Sequence, residues 1–379
     1  MKIGRIETFY VQPRWLFVRV ESDDGAVGWG EASLEGHSEA VDGAIDSLRD
    51  KFVGHDPFAI EDLWQLGYRS GFYRGGPVLM SALAGVEQAL WDLKGRALNL
   101  PVWQMLGGKV RDRIRAYAWI GGDRPNEIGE AAKARRGQGF SAVKMNATAE
   151  LDWIGTPKLF EQVVERVTAA QAAGMDVGLD FHGRVHRPLA KQLAKALEPL
   201  GLLFIEEPLL SENPEGLAQI AHLVSTPIAL GERLYSRWDF KPFFENRSVD
   251  IIQPDLSHAG GILEVRKIAA MAEAYDVAVA PHCPLGPLAL AACLQIAGCT
   301  PNVAIQEMSL GIHYNVGADL FTYCRDKAQL TPGDGFLAIP TGPGLGIDID
   351  EDAVRESDKH RHRWRNPVWR LADGSFAEW

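Results

Sequence analysis

The chain has 379 residues, 46% of them hydrophobic and 23% charged, which allows a large core and argues against disorder. A formal net charge of −11 excludes the basic face that nucleic-acid binding needs. It leaves room for an anionic substrate, because a bound divalent cation reverses the sign of an acidic site.

The opening residues Met1-Lys2-Ile3-Gly4-Arg5-Ile6-Glu7 carry charge where a secretory signal places its apolar segment. No stretch reaches the ~20 apolar residues of a membrane span. The expected location is therefore the cytoplasm, with no membrane partner. The four cysteines (Cys283, Cys293, Cys299, Cys324) form no C-x-x-C pair and read as reduced, buried thiols.

Leu16, Val18 and Val20 alternate with Arg19 and Glu21, and Asp24-Gly25 supplies a tight turn before Ala26–Trp29, so a hairpin is expected first. Leu79, Leu83, Val86, Leu90, Leu93 and Ala97 then recur at helical spacing until Pro101. Strands followed by helices describe an α+β module over residues 1–113.

From Ile114 the rhythm changes. Short apolar runs at Arg115–Ile120, Ala142–Asn146, Val177–Phe181, Leu203–Glu206, Ile228–Leu230, Asp250–Pro254, Val277–Ala280 and Val303–Gln306 alternate with helical stretches. The helical stretches include Pro157–Ala173, Pro188–Leu197, Leu263–Tyr275 and Leu288–Ala297. Eight strands in this rhythm predict a TIM-type (β/α) barrel over residues 114–341, an α/β fold. Residues 342–379 are too few for a domain and are expected to return to the N-terminal module, completing a capping domain. The basic run Lys359–Arg365 follows acidic residues and reads as a solvated or interface segment.

The strand ends carry the chemistry. Val177-Gly178-Leu179 leads into Asp180, Leu203-Phe204-Ile205 into Glu206, and Ile228-Ala229-Leu230-Gly231 into Glu232. Numbers 180, 206 and 232 are 26 residues apart, so each carboxylate falls at the same end of a successive βα unit. In a barrel that end is the C-terminal face, where active sites are built. Three converging carboxylates repel unless a cation joins them, and an all-oxygen shell favours Mg²⁺.

His182 stands two residues past Asp180, on the same side of an extended chain. The sixth strand ends at Asp255 and the seventh at His282. On adjacent strands the two can hydrogen-bond, which orients the imidazole and raises its basicity. The eighth ends at Gln306-Glu307. His186, His258 and His313 lie near strand ends and are expected to make contacts rather than do chemistry. A metal, a carboxylate-paired base and a second histidine suit removal of the proton α to a carboxylate and loss of a β-hydroxyl. That is dehydration of a polyhydroxy acid.

These residues resemble the enolase superfamily in its mandelate-racemase-like branch. The resemblance runs through Asp180-Phe181-His182-Gly183-Arg184, Phe204-Ile205-Glu206-Glu207-Pro208, Gly231-Glu232-Arg233, Gln253–Gly261 and Ala280–Pro287 to Asn366-Pro367-Val368-Trp369-Arg370, with Gly71–Pro77 in the N-terminal module. It implies Mg²⁺ on Asp180, Glu206 and Glu232, His282 with Asp255 as the base at C2, and His182 as the acid that expels the 3-hydroxyl. It further implies that Glu307 hydrogen-bonds a substrate carboxylate oxygen. Arg14 and Tyr73 would belong to cap segments closing over the sugar chain.

One departure is informative. Many relatives carry Lys-x-Lys on the second barrel strand, whereas this chain reads Lys144-Met145-Asn146. Asn146 takes no proton, which disfavours racemisation, and Lys144 is left to counter the substrate carboxylate. The implied substrate is galactonate, with gluconate, fuconate and arabinonate as alternatives and a non-catalytic sugar-acid-binding barrel as a remoter one. A homo-oligomer is implied by analogy.

Overall fold

A computed structural model describes residues Met1–Trp379. Three antiparallel strands, β1 (Ile3–Val11), β2 (Trp15–Ser22) and β3 (Val27–Glu31), form a small sheet in that order. Asp24-Gly25 turns the chain between β2 and β3, with Gly25 at φ 88°. The sequence pattern does not announce β1. Arg5 and Glu7 break its apolar run, and a register shift between Ile3 and Arg5 interrupts its alternation.

Helices α1 (Ser38–Phe52), α2 (Ile60–Arg69), α3 (Gly76–Leu98) and the short α4 (Val102–Met105) follow. The expected stop of α3 at Pro101 falls two residues late, because Asn99 adopts the left-handed conformation at φ 52° and ends the helix itself. β3 lies directly on α3. A Cβ at Gly28 would sit 2.1 Å from the Ala89 carbonyl oxygen, and one at Gly30 2.2 Å from that of Gly85, so only glycine allows the approach.

The rest alternates strand and helix as expected: β4 (Arg113–Trp119), α5 (Ile128–Gly137), β5 (Ala142–Asn146), α6 (Pro157–Ala172), β6 (Asp176–Asp180), α7 (Arg187–Leu197), β7 (Phe204–Glu206), α8 (Pro214–Ala221) and β8 (Ile228–Leu230). It continues through α9 (Arg237–Glu245), β9 (Ile251–Ile252), α10 (Ile262–Ala274), β10 (Ala278–Val279), α11 (Pro287–Cys299) and β11 (Gln306–Met308). β4 to β10 pair in chain order, all parallel, and β11 returns to pair with β4. The ring closes where Val279 N donates to Asn302 O at 2.9 Å and accepts at its carbonyl from Ala304 N at 2.8 Å.

That closure explains one correction. Val303–Gln306 looks like the eighth strand, but Val303 makes only an isolated bridge to Val279, and the paired strand begins at Gln306. Glu307 therefore lies inside β11 rather than past its end.

β12 (Phe336–Ala338) pairs antiparallel with β4, and α12 (Glu351–Asp358) returns to the first sheet. There Tyr10 N donates to Asp358 Oδ1 at 2.7 Å and Gln12 N to Ser357 Oγ at 3.1 Å. Two buried carboxylates tie the cap to the barrel. Glu31, ending β3, accepts from Gly286 N (2.8 Å) and Ala289 N (3.1 Å) at the start of α11. Glu87 of α3 accepts from Ile262 N and Leu263 N, both at 2.8 Å, at the start of α10. Each fills donors that a helix leaves unpaired at its N-terminus. Burial pushes Glu31 up to about 7 and Glu87 up to about 8, against the pull of these amides. All four cysteines are buried and free. No helix is long and apolar enough to cross a membrane.

Candidate active site

The parallel strands end around a cavity of about 470 Å³. Asp180 and Glu206 are the last residues of β6 and β7, paired in register across the sheet. Glu232 follows β8 after Gly231, whose Cβ would strike the backbone of Gln253 at 2.8 Å. One ligand atom from each of Asp180, Glu206 and Glu232 lies within 4.8 Å of the others. Asp180 is 2% exposed and Glu206 0%.

Lys144, on β5, is the internal counter-charge. Its Nζ stands 3.0 Å from Glu206 Oε2, 3.0 Å from Glu307 Oε1 and 3.8 Å from Asp180 Oδ2. Burial works against this ammonium, yet Glu206 and Glu307 hold its proton well above the ordinary lysine range. One ammonium does not neutralise the cluster. Burial, then the charge of Glu206, pushes Asp180 well above the usual carboxylate range, and Glu206 is raised too. A buried, all-oxygen set short of positive charge is the donor set that suits a hard divalent cation.

His282 meets Asp255 as expected, Nδ1 to Oδ2 at 2.8 Å. Its Nε2 lies 3.0 Å from Glu232 Oε2 and 3.9 Å from Glu307 Oε2. Burial disfavours the imidazolium, but Glu232 and Glu307 outweigh it and raise His282 well above the ordinary histidine value. Burial pushes Glu232 the other way from His282, whose charge prevails and holds the carboxyl well down. Glu307 Oε2 also accepts from Cys283 N at 3.0 Å.

His182 sits past β6 at φ 54°, held there as its N–H donates to Asp180 Oδ1 at 2.7 Å. Its Nδ1 is buried without a partner, and burial pushes the ring down to about 3.

Arg14 and Asn146 line the same cavity. The Oδ1 of Asn146 is buried with no partner. Arg14 donates from Nη1 to Glu35 Oε1 at 2.8 Å and from Nη2 to Pro284 O at 2.7 Å. Tyr73 is not brought there. It is 86% exposed beside Phe72, which is 91% exposed, on a separate groove between α1 and α3. The Gly71–Gly76 loop turns through Gly75 and Gly76, both at positive φ, and holds the two aromatics out in solvent.

Several lining residues have no marked signal in the sequence. Glu35, Asp123, Tyr314 and Trp379 come from loops and the tail, without strand-end spacing to mark them. Arg233 had a signal, directly after Glu232, and pairs with Glu207 at 3.1 Å. His258, expected only as a contact, lies 3.5 Å from Glu35 and 3.7 Å from Asp255. His186 stacks on Trp153 at 3.8 Å, and His313 stands 3.5 Å from Asp123.

Residues 6–107 match the mandelate racemase/muconate lactonizing enzyme N-terminal domain, and 127–353 match the enolase C-terminal domain-like family. D-galactonate dehydratases of Ralstonia pickettii (strain 12J) and Klebsiella pneumoniae (strain 342) are 53% and 52% identical, each covering the whole of both chains. A solved putative galactarate dehydratase from Agrobacterium radiobacter, with sodium and L-malate bound, superposes at TM-score 0.89 and 32% identity over all of both chains. A putative dehydratase from Mesorhizobium loti gives 0.87 and 31%, over 94% of this chain and 98% of that one.

Proposed function

The chain belongs to the mandelate racemase/muconate lactonizing enzyme branch of the enolase superfamily, and from that premise we propose that it dehydrates D-galactonate to 2-dehydro-3-deoxy-D-galactonate, with Mg²⁺ at Asp180, Glu206 and Glu232. It is a hydro-lyase acting on a sugar acid. The observation that carries the reading is that Asp180, Glu232, His182 and His282 line one cavity, with Glu206 completing the triad and Asp255 behind His282.

A bound Mg²⁺ supplies the positive charge that favours a dianionic enediolate over the ground-state acid. Asp255 holds the His282 ring through Nδ1, leaving Nε2 to take the proton from C2. A cation held by Glu232 would weaken the partner that most raises the proton affinity of His282. Lys144 holds the substrate carboxylate by charge, and Glu307 meets one of its oxygens through a proton held between the two, a hydrogen bond that strengthens as negative charge grows there. His182 donates its proton to the departing 3-hydroxyl. Burial holds its ring down to about 3, and the anionic substrate brings the charge that favours an imidazolium. The C2–H and C3–O bonds break, water leaves, and the enol tautomerises to the 2-keto acid.

The working unit is a cytoplasmic homo-oligomer, each chain divided into a cap at 1–113, a barrel at 114–341 and a returning segment at 342–379. The test is a screen of the purified protein with Mg²⁺ against mono-acid sugars, reading 2-keto acid formation. D-galactonate should be turned over fastest, and no 2-keto acid from any sugar acid would end the reading.

A further inference from the structure

We propose that Trp379 and Asp123 form a donor–acceptor pair that binds one hydroxyl of the sugar chain beyond C3, making Trp379 a specificity-determining residue. The inference rests on the D-galactonate reading and adds a subsite to it.

The tail reaches the cavity by a defined route. Trp369 is held between two guanidinium groups, Arg124 at 4.4 Å and Arg184 at 4.6 Å from its ring. The chain then turns back on itself: Arg370 bridges Phe376, and Ala377 N donates to Trp369 O at 3.1 Å. This fold delivers Glu378 and Trp379 to the cavity wall. The indole stands edge-on to His182 at 6.1 Å and to Tyr314 at 6.1 Å, and 5.8 Å from Trp364.

Packing accounts for the ring and leaves its N–H unexplained. Trp379 Nε1 is buried and has no partner in hydrogen-bond geometry. It lies near enough to Asp123 to help hold that carboxyl down at about 2, where burial alone would raise it and His313 and Tyr314 also lower it. An indole N–H only donates, and a buried donor left unpaired is costly.

Asp123 supplies the matching half. Its contacts with Tyr314 Oη, His313 Nε2 (3.5 Å) and Arg184 Nη2 (4.0 Å) all fall on Oδ1. Oδ2 takes none of them. A hydroxyl needs an acceptor for its hydrogen and offers lone pairs to a donor. An N–H that reaches Asp123 too loosely for a full hydrogen bond, beside a carboxylate oxygen free of those contacts, fits that group. The nearness of His182 sets the pair on the leaving-group side of the cavity, so the hydroxyl it meets lies beyond C3.

The test compares Trp379→Phe with the parent protein, both with Mg²⁺, on D-galactonate and its 4-deoxy, 5-deoxy and 6-deoxy analogues. Phenylalanine keeps an aromatic wall and removes the donor. The KM for D-galactonate should rise roughly three- to tenfold, the size of one hydrogen bond, with kcat within about threefold. That rise should vanish on the one analogue that lacks the bound hydroxyl and persist on the other two. If Trp379→Phe melts well below the parent, Asp123→Asn reads the same pair, since its amide can replace the accepting oxygen with a donor. An equal rise on all four substrates, an unchanged KM, or a fall in kcat alone would overturn the proposal. A parent protein inert toward D-galactonate would instead overturn the substrate reading.

Discussion

Glu232 Oε2 lies 3.0 Å from His282 Nε2, so a candidate metal ligand and the candidate base hold each other in an ion pair. The pair brings two buried groups of opposite charge together. Mg²⁺ should compete for Glu232 and stabilise the folded chain, by about 2.7 kcal/mol at a hundredfold excess over its Kd. Melting curves with Mg²⁺ and with a chelator would check this. Equal melting temperatures at saturating Mg²⁺ would count against a metal at the triad.

The two histidines should separate by isotope exchange. His282→Asn should abolish exchange of the C2 proton in D₂O and lower turnover by about 10²–10⁴-fold, the usual contribution of a general base. His182→Asn should keep that exchange while losing water release. Full turnover by His282→Asn would show the base assignment to be wrong.

Lys144 is 1% exposed and bridges Glu206 and Glu307. Lys144→Met keeps the bulk and strands two buried carboxylates. Removing one partner of such a cluster costs about 3–5 kcal/mol, so urea denaturation should show a loss of that order. A stability within 0.5 kcal/mol of the parent, roughly the scatter of surface substitutions, would mean the ammonium is not the counter-charge described.

Glu31, Glu87 and His258 should make stability fall as pH rises from about 4.5 through 8. Burial lifts Glu31 to about 7 and Glu87 to about 8 from 4.5. His258 is raised above 6.5, since Asp255 and Glu35 outweigh the burial that would lower it. A group whose folded pKa is raised binds its proton more tightly when folded. Its contribution is complete below the unfolded value and is lost as pH climbs through the folded one. For the two glutamates that window runs from about 4.5 to 7 and from about 4.5 to 8, and for His258 from 6.5 upward. Unfolding free energies at pH 6 and pH 9 should differ in that direction, and greater stability at pH 9 would contradict the assignment.

The repeat of βα units made much of this molecule readable. Asp180, Glu206 and Glu232 could be paired in advance because a strand end recurs every 26 residues, and the barrel holds those ends together. Asp255 and His282 followed from adjacency of strands. What escaped had no such period. Trp379 and Asp123 are 256 residues apart (379 − 123) and approach only because the tail folds back. Glu35 acts through Arg14 and His258, a relation no local pattern encodes. Tyr73 shows the opposite failure: it sits in a matching motif, but its loop carries it away from the cavity. The eighth strand slipped because Val303 and Ile305 are buried and apolar, while pairing begins only at Gln306.

Glu31 and Glu87 have a consequence for how the molecule comes apart. Each is a carboxylate of one module plugged into the helix ends of the other, so peeling the modules apart exposes unpaired amides on one side and stranded acids on the other. Neither half then has a comfortable solo state. Heating should melt both in a single calorimetric transition, and a barrel expressed without its lid should be prone to aggregate rather than fold.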